Sequence, residues 1–246
     1  MMTAPICKGI LTLTASAIVQ GVLPTPDKPL TKGRYEPSRS ITGGLPFLGV
    51  PWKIISCLLG VIEAATVLAG SDLCPPSVRH WLVILLVHSH QPPSQAITQV
   101  GVLSPAFLFG TCLTIAGAML RRHCYNVLGR FFTFELSIRD DHRLVTSGPY
   151  SIVRHPSYSA CLLMQTGQML FWLDRNSWLV TCSGLLPADE HAMTRVLWAA
   201  RAFMLSVGYV WILRVNHEDA MLEKSFGKEW REWAKKVPYR LIPGVY

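Results

Sequence analysis

Two short stretches hold most of the residues able to do chemistry. Leu144-Val-Thr-Ser-Gly-Pro-Tyr150-Ser-Ile-Val-Arg154-His-Pro-Ser-Tyr158 places aromatic, cationic and helix-starting residues directly ahead of an apolar run. Gly148-Pro149 predicts a turn, because the residue before a proline is steered away from helix. Pro156 suits the first turn of a helix, where its missing N–H costs nothing. A helix beginning there points free N–H groups and its positive dipole end at the basic loop, a seat for a carboxylate or a phosphate. Tyr150 and Tyr158 offer ring faces that attract a cation. Taken singly, Arg154 and His155 also fit ordinary interfacial residues, and the tyrosines fit an aromatic belt. Their concentration between Tyr150 and Tyr158 favours the chemical reading.

The second stretch is Arg214-Val-Asn-His-Glu218-Asp219, directly after another apolar run. Arg214 and Glu218 are four apart, so on a continuing helix they share a face. Arg214 reads equally as a snorkelling anchor or as an anion binder facing a bundle interior. Leu222, Phe226, Trp230, Trp233 and Val237 then recur at helical spacing with Lys and Arg between them. This is an amphipathic pattern suited to lying on a bilayer surface, with Gly227 as a break or kink. The segment Tyr239-Arg-Leu-Ile-Pro-Gly-Val-Tyr246 is apolar enough to fold back onto the core.

The elements that must position these residues are membrane segments. Of 246 residues 50% are hydrophobic and 15% charged, against about 25% charged in soluble domains, and mean hydropathy is +0.30. A spanning helix needs about 17–25 mainly apolar residues. Residues 54–70, 100–120, 157–173 and 196–213 meet this, the first carrying Glu63 and the last Arg201. Residues 9–23 form a shorter run, expected to be retained as a span. Residues 77–88 and 177–188 fit re-entrant, interfacial or spanning placement alike. The fold class expected is therefore an all-α integral membrane protein, a polytopic helical bundle of five to seven segments with an interfacial amphipathic helix near residue 230. Residues 24–51 are rich in Pro, Gly, Ser and basic residues and read as an exposed connection.

Basic residues dominate 121–155 and 214–246, whereas 174–195 is slightly acidic. The positive-inside rule then puts both chemical stretches in the cytosol, joined by a hairpin over residues 157–213. The net charge of +8 fits an anionic lipid surface. No nucleic acid is expected, since no basic helix or zinc-finger spacing is present. Seven scattered cysteines, none in a C-x-x-C pair, indicate neither a disulfide framework nor a metal site.

In this order, flanking a hydrophobic hairpin, the two stretches resemble the isoprenylcysteine carboxyl methyltransferases, most nearly the fungal forms. The resemblance rests on His142-x-Leu-Val-Thr-Ser-Gly-Pro-Tyr150, Arg154-His-Pro-Ser-Tyr158, Arg214-x-x-x-Glu218-Asp219-x-x-Leu222, Phe226-Gly227 and Arg240-Leu-Ile-Pro-Gly-Val-Tyr246. It covers roughly residues 100–246 as a catalytic core, divided into a cofactor loop 121–158, the hairpin 157–213 and a segment 214–246. Residues 1–99 match only in being hydrophobic. The resemblance implies a multi-pass endoplasmic reticulum enzyme with a cytosol-facing site. It implies transfer of methyl from S-adenosylmethionine to the C-terminal carboxylate of prenylated cysteine, on proteins or small isoprenylcysteine substrates. His142, Arg143, Leu144, Val145, Tyr150, His155, Pro156, Ser157 and Tyr158 would line the cofactor pocket, and Glu218 would hold the cofactor from the other side. Arg214 would bind the substrate carboxylate, with Arg214 and Glu218 as the catalytic pair. Two positions depart from the family pattern: Asp219 replaces the second acid of a Glu-Glu pair, and Glu135 stands where a neutral amide is expected.

The residue types suit that chemistry. An α-carboxyl, with a pKa of about 3.3–3.7, is already ionised and needs no general base. A phospholipid N-methyltransferase would require a base for its amine, and Arg214 would repel a cationic headgroup. A sterol reductase shares a comparable ending but needs more spans. A membrane scaffold gives no reason for two chemically rich segments to flank one hairpin.

Overall fold

Four helices begin on proline. In the computed structural model, which describes residues 3–22, 45–89, 91–131, 143–187 and 189–246, these are α3 (Pro76–Leu86), α4 (Pro93–Val100), α5 (Pro105–Leu128) and α6 (Pro156–Trp172). The lost N–H falls where no helical acceptor exists, and the fixed φ is already helical. The others are α1 (Thr3–Val22), α2 (Leu45–Ala69), α7 (Trp178–Thr181), α8 (Glu190–Phe226) and α9 (Lys228–Lys236). No strand occurs among the described residues. Helices α1, α2 and α8 are long and apolar enough to cross a membrane, and α4 with α5 forms a fourth candidate bent by 48°. The 17 residues of α6 sit at the lower limit of spanning length. The protein is an all-α, multi-pass membrane protein.

The apolar run 100–120 is not one straight helix. Ser104 accepts a hydrogen bond from the Phe107 N–H at 3.0 Å, and Pro105 follows as the first helical residue, so a capping serine and a proline start a new helix inside the run. At its other end α5 continues past Arg121-Arg122 to Leu128. Likewise α8 runs unbroken through the predicted span and beyond. It stops at Gly227, whose φ of +54° is open to glycine at little cost.

Two compact units divide the chain. The first comprises Met1–Gly21, Lys53–Ile115 and Met164–Met204. Its centre is a fully buried Lys8, whose ammonium donates to Val100 O and Asn176 O, both at 2.7 Å, and pairs with Glu63 Oε1 at 2.9 Å. The other Glu63 oxygen accepts from the Trp178 N–H at 2.6 Å. A buried charge is tolerated only when paired and hydrogen-bonded, and the Lys8 ammonium has two carbonyl acceptors and the Glu63 carboxylate beside it. Within the same unit α5 and α6 touch backbone to backbone: a Cβ on Gly110 would lie 2.6 Å from Gly167 O, and one on Gly167 would collide with Gly110 O and Thr114.

The second unit comprises Val22–Trp52, Ala116–Leu163 and Leu205–Tyr246. Its core is Cys124, Tyr150, Trp230, Trp233 and Val237, with Leu222 and Phe226 packed against it. The stripe expected to meet a bilayer surface is thus covered by protein. Tyr150 and Cys124 supply the apolar partner that lipid would have supplied, and α9 keeps only its charged face outward.

The Gly110–Gly167 contact predicts that Gly167→Ala destabilises by about 1–3 kcal/mol, the usual cost of overpacking. Gly208→Ala, whose Cβ meets nothing within 4 Å, should instead gain about 0.5–1 kcal/mol of helix stability. Thermal unfolding in detergent distinguishes them, and equal midpoints would show that the helices do not meet there.

Candidate active site

The loop before α6 is shaped by a glycine and anchored by a tyrosine. Gly148 has φ +60°, and a Cβ there would lie 3.2 Å from Val127 Cγ2, so close packing and backbone both demand glycine. It opens the 3₁₀ turn Gly148–Ser151, which drives Tyr150 into the core of the second unit beside Trp230 and Trp233. Burial pushes the Tyr150 hydroxyl well above the ordinary phenol range, so the ring enters the core neutral. Leu144 and Val145 pack partly buried on the same core, while Arg143 is exposed. His142 and Glu135 lie outside the described residues.

Beyond the turn, Arg154 and His155 are buried and converge on Asp219 of α8. The Asp219 carboxylate accepts from Arg154 Nη2 at 3.1 Å, from Arg240 Nε at 2.9 Å, and faces His155 Nε2 at 2.8 Å. The segment after α9 closes the arrangement. Arg154 Nη1 donates to Val237 O and Pro238 O, both at 2.9 Å. The main-chain N–H groups of Arg154 and His155 donate to Tyr239 O and Arg240 O at 2.9 and 2.8 Å. Residues 239–246 therefore fold back onto the core as expected, held by backbone hydrogen bonds, with Leu241 alone of their aliphatic side chains buried.

One residue earlier on α8, Glu218 faces elsewhere. Tyr158 donates its hydroxyl to Glu218 Oε2 at 2.6 Å, and Arg214 Nε donates to the same phenol oxygen at 2.9 Å. Arg214 also stands over the Tyr158 ring, 5.9 Å from its centroid, and Trp211 packs on that ring at 5.1 Å. His155 Nδ1 reaches Glu218 Oε1 at 3.8 Å, so the imidazole lies between both acids. Arg214, His155 and Asp219 are buried, whereas the Glu218 side chain is 25% exposed. Its carboxylate is the acid a ligand can reach.

Arg121 joins this cluster unannounced. Lying just past the apolar run 100–120, it is buried and donates from Nη1 to Ser157 Oγ at 2.8 Å and Ser157 O at 3.1 Å, with Nε on Val22 O at 3.3 Å. Helical phase was the available signal. Phe107, Thr111, Thr114, Ala118 and Arg121 fall on one face at steps of four and three, all of them buried, while Arg122 points out. The structure thus joins Arg214, Glu218, His155, Ser157 and Tyr158 around the start of α6. Pro156 is buried at the first position of that helix, and Tyr150, Leu144 and Val145 belong to the apolar core of the same unit.

Chemically the cluster offers a cationic fork beside a reachable carboxylate, with an aromatic face between them. Arg121, Arg154, Arg214 and Arg240 stand against Glu218 and Asp219, a surplus of positive charge that favours an anionic ligand. The two acids should separate in stability measurements. Asp219→Ala strands buried arginine and is expected to cost about 3–5 kcal/mol, the penalty for breaking a buried pair from one side. Glu218→Gln keeps the Tyr158 hydrogen bond and should cost under about 1 kcal/mol. Chemical denaturation in micelles checks this; equal losses would refute the division of roles.

Residues 110–188 match the family described as Isoprenylcysteine carboxyl methyltransferase (ICMT) family. Protein-S-isoprenylcysteine O-methyltransferase B of Arabidopsis thaliana is 31% identical over 53% of this chain and 56% of its own length. A probable protein-S-isoprenylcysteine O-methyltransferase of Oryza sativa subsp. indica is 32% identical over 52% of this chain and 56% of its own. A Delta(14)-sterol reductase of Mus musculus is 28% identical over 42% of this chain, but over 20% of its own length. The chain spans about half the length of the methyltransferases it matches. The family match takes in the loop and α6 with Tyr150, Arg154, His155 and Tyr158, so over residues 110–188 the chain is similar to the isoprenylcysteine carboxyl methyltransferases.

Proposed function

We propose that this protein methylates the C-terminal carboxylate of prenylated cysteine, using S-adenosylmethionine, at the cytosolic face of the endoplasmic reticulum membrane. The observation that carries the reading is the Arg214–Tyr158–Glu218 arrangement, in which one phenol joins a cationic fork to a quarter-exposed carboxylate. Arg214 suits a substrate carboxylate, because its planar guanidinium can bind one bidentately. Lysine, a point charge, would be a poor replacement. Glu218 and the Tyr158 ring suit the cationic end of the methyl donor. Leu144, Val145 and Tyr150 form the apolar wall, and His142, Arg143 and His155 to Ser157 complete the pocket by resemblance.

S-adenosylmethionine supplies an electrophilic methyl carbon; the chain supplies geometry. The substrate carboxylate is ionised well below neutral pH, so no residue needs to remove a proton. The task is to hold an oxygen in line with the methyl carbon, and positioning of this kind is worth about 7–11 kcal/mol in well-oriented systems. Tyr158 fixes Arg214 at its Nε edge and Glu218 at one oxygen, holding both ends of the reaction in register. A prenyl chain partitions into the bilayer at about 0.8 kcal/mol per CH₂, which concentrates the acceptor where α6 and α8 meet the surface.

Membranes carrying the chain, incubated with methyl-labelled S-adenosylmethionine and N-acetyl-farnesylcysteine, should yield label that base releases as methanol. Arg214→Lys should lower kcat/KM about 100-fold, or about 2.7 kcal/mol, and Tyr158→Phe at least about tenfold, the low end for a hydrogen bond to a charged group. Base-stable label in extracted lipid would mean N-methylation and would overturn the proposal, as would an unaltered Arg214→Lys enzyme.

A further inference from the structure

Segment 237–246 comes down to the level at which the uncharged lengths of α6 and α8 begin. On α8 the residues from Ala202 to Leu213 are uncharged and Arg214 ends the run. Asn216 lies two residues on, about 3 Å along the axis at 1.5 Å per residue. Its side-chain oxygen accepts from Arg240 Nη1 at 2.9 Å and from the Tyr246 hydroxyl at 3.0 Å. On α6 the uncharged run begins at Ser157, and Ser159 in the first turn donates to Leu241 O. Residues 240–246 are therefore tied to both helices at the boundary between their polar and apolar lengths.

The side chains shown there are apolar. Leu241 is buried, but Tyr239 is 38%, Ile242 49% and Val245 76% exposed. Ile152, 60% exposed, sits two residues before Arg154, whose N–H pairs with Tyr239 O. The loop is held in shape, since the Leu241 and Ile242 N–H groups both donate to Tyr246 O, at 2.8 and 2.9 Å. Lys235 and Lys236, at the end of α9, are exposed beside it. An apolar edge flanked by lysines, at the height where spans begin, matches a bilayer interface with anionic headgroups.

We infer that Ile152, Tyr239, Ile242 and Val245 insert into the interface of the same bilayer the helices cross, with Lys235 and Lys236 on anionic lipid. The segment whose carbonyls hold Arg154 and His155 is thereby moored to the membrane surface. The amphipathic pattern of residues 222–237 suggested such a contact for α9, but the fold spends that stripe on the core and moves the contact to the turn beyond.

The test is independent of any enzymatic activity. Val245→Cys and Ile152→Cys are each labelled with an environment-sensitive fluorophore after the exposed Cys7, Cys57 and Cys112 are replaced by Ala. The proteins are reconstituted in phosphatidylcholine–phosphatidylserine vesicles. A label at Glu232→Cys, on the 61% exposed outer face of α9, reports the aqueous reference. Quenching by lipids bearing a nitroxide near the headgroup end of the acyl chain should be at least about threefold stronger at 245 and 152 than at 232, with iodide quenching in the reverse order. Equal iodide access at all three positions would overturn the inference. A signal unchanged without phosphatidylserine would remove the lysine part. Emission that responds to N-acetyl-farnesylcysteine and not to nitroxide lipid would assign the edge to the substrate instead of the bilayer.

Discussion

A carboxylate buried among apolar helices survives only where its charge is met, and Asp219 is met by Arg154, His155 and Arg240 together. The partners come from three places in the chain: the loop before α6, the helix start itself and the segment after α9. Each would be costly to bury alone. Together they let one aspartate hold the loop, the helix and the closing segment at one point. The pairing is local in energy and long-range in sequence, since Asp219 lies 65 residues from Arg154.

Helix geometry then divides labour within the acidic pair. Successive residues on an α-helix point about 100° apart, so Glu218 cannot share the surroundings of Asp219. It looks along the face it shares with Arg214, one turn back, and finds Tyr158. Because Tyr158 lies one turn into the helix whose start Asp219 fixes through His155, the orientation of the phenol depends on the buried acid. The shorter side chain at position 219 fits this role: it seats three donors close to the α8 backbone, while the longer Glu218 extends outward.

Local pattern and helical phase made much of this legible. The Gly148-Pro149 turn, the helix start at Pro156, the shared face of Arg214 and Glu218, the break at Gly227 and the fold-back of residues 239–246 each follow from signals acting within a few residues. What was not legible depended on partners far away. Lys8 lies just ahead of the short apolar run 9–23, and its burial is explained by Glu63, Val100 and Asn176. Arg121 follows an apolar run, and its burial depends on Ser157, 36 residues away. The stripe from Leu222 to Val237 has the period of a surface helix, and period alone does not say whether lipid or Tyr150 covers it. Ser104-Pro105 was the exception, a local start signal masked by the hydrophobicity around it.

For the proposed reaction, the low dielectric around Arg214 and Glu218 favours the chemistry itself. In that reaction the carboxylate oxygen would bond to the methyl carbon as the carbon–sulfur electron pair went to sulfur, so that one negative and one positive charge would vanish together. The transition state is less polar than the reactants, and a medium that weakly solvates separated charges lowers the barrier between them. That also limits what Arg214 should do. An arginine gripping the carboxylate as fully as possible would stabilise the reactant more than the transition state and slow the step. Sharing its Nε proton with the Tyr158 oxygen, and standing one turn from Glu218, keeps part of the guanidinium's interaction inside the protein. On the proposed reading, Arg214 would place the carboxylate and still let its charge go.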